Sequence, residues 1–168
     1  MSSRASVARH PIHPMFVPFP IGLWVFSFVC DLIYLGSRLP FWKDAAFYTM
    51  VGGVIGALIA ALPGLVDYGT IADGNVRRLG TTHLVLNLGL VVLYLVNLWI
   101  RAHSVREALT PVWLSVAGVV VLVISGWLGG EMVYVHGMSV GPKRTLTTID
   151  VTPAAPRPTR AEDRRRPA

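Results

Sequence analysis

Imidazole is the side chain in this sequence best suited to chemistry, and four of the five histidines, His10, His13, His83 and His136, can be brought to one place. Neutral imidazole ligates transition metals and serves as an axial haem ligand. Two histidines on facing helices at equal depth are one way a helical bundle holds a cofactor. His83 and His136 meet that description, with His10 or His13 as supplementary ligands and Asp67 or Glu131 behind them as hydrogen-bond partners. Two plainer roles compete with a haem b or transition-metal site. One is interfacial histidines hydrogen-bonded to Asp67, Glu131 or backbone; the other is pH sensing. The sequence has no HExxH, CxxC or CxxCH motif. A haem pair at each end of a bundle is disfavoured, because His103 stands alone at the opposite end.

A second set of polar residues lies inside apolar runs. His83, Asn87, Tyr94, Asn97 and Arg101 fall within about 80° of one another on a helix turning about 100° per residue. Trp24, Ser27, Asp31, Tyr34 and Arg38 form a matching face on an earlier run. An ionised carboxylate at the centre of a membrane helix costs about 2.5–3.5 kcal/mol. Asp31 is therefore expected to be paired, with Tyr94 or Asn97 at similar depth as its hydrogen-bond partner, or to serve an ion path.

Four apolar stretches must position these groups. They run from Met15 or Pro20 to Gly36, Ala45 to Val66, Leu84 to Ile100 and Pro111 to Gly130, each near the roughly 20 residues a span requires. Short connections favour antiparallel neighbours, so the expected fold is an all-α, up-down transmembrane four-helix bundle with both termini on one side. Counting crossings places all four histidines at that side. Each histidine in HPIHP (10–14) precedes a proline, which biases it away from the α conformation. Residues 10–19 are therefore expected to be irregular and to fold over the mouth of the bundle. The second stretch carries Gly52, Gly56, Ala60 and Gly64 on one face, suited to close helix packing within the chain or in a homodimer.

Composition agrees with lipid as the solvent. Only 14% of residues are charged and the mean hydropathy is +0.56, whereas soluble domains carry about 25% charged residues. The net charge of +6 gathers at chain ends and loops and does not indicate nucleic-acid binding. The single cysteine, Cys30, is expected to be a small buried hydrophobe. The first apolar stretch is long, contains Asp31 and lacks a clear cleavage site, so it reads as a retained span. Residues 1–144 read as one membrane domain and 145–168 as a disordered Pro/Arg-rich tail. Arg4, Arg9, Arg77, Arg78, Lys143 and Arg144 outnumber Arg38, Lys43, Arg101 and Arg106 at the other face, which puts both termini in the cytoplasm. Trp42, Trp99 and Trp113 gather at the outer face as an aromatic belt would.

HPIHPMFVPFPIGLW (10–24), Asp31, ALPGLVDYG (61–69), THLVLN (82–87) and GWLGGEMVYVHGMSVG (126–141) resemble a bacterial family of predicted four-span membrane proteins of unknown function. The likeness covers roughly residues 8–142. It implies a multi-pass inner-membrane protein. Some members resemble fusions or neighbours of Rieske-type iron–sulfur proteins, which implies a redox partner. Three readings follow. The leading one is an electron-transfer membrane subunit with a haem or metal at the cytoplasmic histidine cluster. The others are a non-enzymatic anchor or assembly subunit, and a small proton or ion transporter using Asp31. No serine or cysteine beside a base points to a stand-alone enzyme.

Overall fold

The computed structural model describes residues 5–8, 10–103 and 109–138. The chain begins with a two-stranded antiparallel hairpin, β1 (Ser6–Val7) and β2 (His10–Pro11), followed by a short helix, α1 (Ile12–Phe16). Four long helices follow: α2 (Pro18–Ser37), α3 (Pro40–Tyr68), α4 (Gly74–His103) and α5 (Thr110–Tyr134).

Local chemistry sets where these helices begin. Proline stands in the first turn of α2, α3 and α5, where its missing N–H is no loss and its fixed φ suits the helix. Helix α4 uses Asp73 instead. The Asp73 carboxylate accepts the N–H of Asn75 at 2.8 Å and of Val76 at 3.1 Å. It satisfies two orphan donors and puts negative charge at the positive end of the helix dipole.

Consecutive helices pack side by side, and α5 closes the ring against α2. The packing is closest within two hairpins, α2 with α3 and α4 with α5. The centre is filled by Trp24, Met50, Val54, Leu90, Tyr94 and Leu122. Ser27, Asp31, Asn97, Ser115 and Ser125 are also buried, whereas Phe26, Leu32, Leu58, Leu62, Val92, Leu95 and Val123 are exposed. Polar groups inside and large apolar groups outside is the pattern lipid demands. All four long helices are long and apolar enough to cross a membrane. The expected four-helix membrane bundle is the observed one, and the described chain enters and leaves it at the same end.

Two expectations change. The helices outrun the apolar stretches: α3 has 29 residues and α4 has 30, about 45 Å at 1.5 Å per residue. Hydropathy registers where lipid ends, whereas backbone hydrogen bonding continues into polar residues. The segment at 10–19 is not irregular throughout. His13 lies in α1 although Pro14 follows it, because a first-turn proline has no N–H bond to lose. Helix α1 packs against α3, and the Ala5 N–H donates to the Asp67 carboxylate at 3.3 Å, so this segment does cover the end of the bundle.

The small-residue face of α3 is occupied within the chain. Cβ atoms added at Gly52 and Gly56 would lie 3.3 Å from Leu23 and Pro20. The tail expected at 145–168 lies outside the described residues, as do Arg4, Arg9, Arg106, Lys143 and Arg144.

Candidate functional site

Two polar centres occupy opposite ends of the interior, with an aromatic stack between them. The first centre is built on His13 and His83. His13 Nδ1 donates to the Ala60 carbonyl at 2.8 Å, and His83 Nδ1 donates to the Ser125 carbonyl at 2.9 Å. A carbonyl can only accept, so Nδ1 is the donor in each contact, and in the neutral tautomer that fits it the lone pair is on Nε2. Both contacts depend on a glycine one turn beyond the carbonyl. A Cβ at Gly64 would sit 2.9 Å from the His13 ring, and one at Gly129 would sit 3.2 Å from the His83 ring. Asn87 Nδ2 donates to Ser125 Oγ at 2.7 Å and to the His83 carbonyl at 2.7 Å, fixing the helix turn that holds His83.

His10 and His136 occupy the same end but are exposed. His10 Nδ1 donates to the Ala8 carbonyl at 3.0 Å. His136 follows the last turn of α5, where its backbone N–H donates to the Glu131 carbonyl at 3.2 Å. The Asp67 side chain is buried and receives the Ala5 N–H. Glu131 is half-buried. Among the described residues, no group of three or more His, Cys, Asp or Glu is placed to hold a metal ion. His136 is exposed at this end, whereas His13 makes to Ala60 the same kind of contact that His83 makes to Ser125. Sequence reasoning placed His13 on an irregular strap and so missed its equivalence to a helical histidine.

The second centre surrounds Asp31. Arg101 Nη1 and Nη2 donate to Asp31 Oδ1 and Oδ2 at 2.7 and 2.5 Å. Ser115 Oγ donates to Oδ2 at 3.1 Å, and Arg101 Nε donates to Asn97 Oδ1 at 2.9 Å. Asn97 Nδ2 in turn donates to the Pro111 carbonyl at 2.9 Å. Asp31 and Arg101 side chains are 1% and 3% exposed. The direct partner of Asp31 on α4 is thus Arg101 rather than Tyr94 or Asn97. Helical side chains lean toward the N-terminus of their own helix, so the long Arg101 stem reaches back to the level of Asn97. An interior carboxylate holds the guanidinium there instead of the membrane surface. Arg38, expected on the same face, is exposed.

Between the centres Trp24 stacks on Tyr94, with ring centroids 4.3 Å apart and planes 14° apart. Neither Trp24 Nε1 nor Tyr94 Oη finds a hydrogen-bond partner among the described residues.

An all-helical bundle with a polar interior and a lipid-compatible surface defines a four-span integral membrane protein. The chain belongs to the predicted membrane protein family DUF2231, whose family model matches residues 9–142. Comparisons with curated proteins and with solved structures find no match.

Proposed function

We propose that this protein is a membrane subunit holding a redox-active haem or transition-metal centre at the histidine end of the bundle. The observation that supports this is the pair of clamped imidazoles. Each donates Nδ1–H to a helix carbonyl, the arrangement that orients metal-ligating histidines and raises their basicity. His83 and His13 are the favoured ligands, with His10 and His136 nearer the surface. A haem or metal held there would supply one-electron chemistry between a reduced and an oxidised carrier. A Rieske-type iron–sulfur protein is the proposed redox partner. The charge count of the sequence supports cytoplasmic termini, and the family resemblance supports a bacterial inner membrane; the centre would then lie near the cytoplasmic surface.

Asp31 offers little to a transport role, because its two oxygens are already engaged by Arg101 and Ser115. Absorption spectroscopy and metal analysis on protein purified in detergent test the proposal. The expected result is one haem or metal per chain with a reversible one-electron couple. Folded protein that carries neither, and takes up neither on reconstitution, overturns it.

A further inference from the structure

The two hairpins repeat one another in register at their inward-facing contact positions. His13 and His83, Trp24 and Tyr94, Ser27 and Asn97, and Asp31 and Arg101 are each 70 residues apart, as the ion pair itself shows. On the partner helices, Ala46 and Pro111, Gly53 and Gly118, Ala60 and Ser125, and Gly64 and Gly129 follow a second constant shift.

The matched residues make matched contacts. Ser27 donates to the Ala46 carbonyl and Asn97 to the Pro111 carbonyl, at 2.7 and 2.9 Å. Trp24 lies against Gly53 as Tyr94 lies against Gly118. His13 is bonded to Ala60 over Gly64 as His83 is bonded to Ser125 over Gly129.

A residue that touches its own counterpart across a two-fold operation must lie beside the axis. Trp24 stacks on Tyr94, and Asp31 pairs with Arg101. These two self-contacts lie at different heights in the bundle, so they define a local axis running along the helices. His13 and His83 are the next matched pair along it, about 16 Å beyond the stack by helix rise.

We propose that His13 and His83 form a two-ligand site on this axis, taking one metal centre that requires just two trans imidazoles. This rests on the metal-centre reading above and specifies its ligands and coordination. Zinc and similar divalent ions favour about four protein ligands, and a double charge held by two neutral rings in an apolar interior is poorly compensated. Two classes of centre need only a trans pair. Haem iron brings its own equatorial nitrogens and its neutralising charge. Copper(I) is singly charged and accepts linear coordination.

Full-length protein in detergent would be titrated separately with hemin and, anaerobically, with copper(I) against a chromogenic chelator. One equivalent of one of them should bind. A low-spin bis-imidazole spectrum identifies the haem arm, and chelator competition without such a spectrum identifies the copper arm. His13→Asn and His83→Asn keep an amide donor for the Ala60 and Ser125 carbonyls, so the fold should survive while binding is lost. His10→Ala and His136→Ala should bind within twofold of the unaltered chain. Retained binding in both Asn variants, or loss in either Ala variant, overturns the two-ligand site while leaving a metal centre standing. Absence of binding by either probe to folded protein overturns both.

Discussion

Exchanging the charges of the buried ion pair tests its structural role and the local two-fold together. With side chains 1% and 3% exposed and two hydrogen bonds between them, neither charge of the pair is solvated by water. Asp31→Leu or Arg101→Met alone strands the other charge, and breaking a buried pair in this way costs about 3–5 kcal/mol. Removing both, as Asp31→Leu with Arg101→Met, should be less damaging than either single change, because no charge is left unpaired. The exchanged chain, Asp31→Arg with Arg101→Asp, re-forms the pair at two-fold-related positions. Its recovery should be partial. Asn97 and Ser115 support Arg101 and Asp31 from the second hairpin, whereas their counterparts are Ser27, already bonded to Ala46, and Met50, which offers no comparable hydrogen bond. Each of these lost hydrogen bonds to a charged group costs about 1.5–3 kcal/mol, so the exchanged chain stays well below the natural one. Equilibrium unfolding in one fixed detergent gives all four values. The reasoning fails if the single costs simply add, or if the exchanged chain is no better than the worse single variant.

Two further predictions concern packing and solvent. Gly118→Val should lower stability by about 1–3 kcal/mol, since its Cβ would lie 2.6 Å from Tyr94 Oη. Gly22→Ala, with nothing within 4 Å, serves as the neutral control in the same thermal scan. Val92 is 60% exposed in the middle of α4, so Val92→Asp should cost about 2.5–3.5 kcal/mol on insertion and reduce the protein recovered in the membrane fraction; equal recovery would mean that this face does not meet lipid.

The bundle was legible because each apolar run is long and each connection short. The inward polar stripe was also legible: a 3.6-residue period shows which face Asn87, Tyr94, Asn97 and Arg101 share. The choice of partner was not. Counting depth along helices locates Cα atoms, whereas Arg101 acts about a turn away from its own Cα. The matched positions of His13 and His83 were hidden for another reason. HPIHP reads locally as extended, and only docking on α3 makes α1 helical there. The repeat itself leaves few identical residues: His13 with His83, Gly53 with Gly118, Gly64 with Gly129 and a few aliphatic positions such as Leu23 with Leu93 and Ile59 with Ile124. Ser27 and Asn97 do the same work with different side chains, which no residue-by-residue match reveals.

The three axial pairs differ in a way that bears on where the chemistry lies. Two carboxylates or two guanidiniums facing each other in an apolar interior would repel strongly, so a charged axial pair must be unlike, as Asp31 and Arg101 are. Stacked aromatics tolerate either choice, and Trp24 and Tyr94 differ. Like residues on an axis suit a role in which both present the same atom to something between them. His13 and His83 are identical, carry identical glycine supports and make the same Nδ1 bond. Holding helices together would not require that identity, since Ser27 and Asn97 secure the same contact with unlike groups. Trans ligation by two Nε2 lone pairs would require it. Under the two-ligand proposal the like-for-like end of the axis would take the ligand, while the Asp31–Arg101 pair at the unlike end ties the two hairpins together.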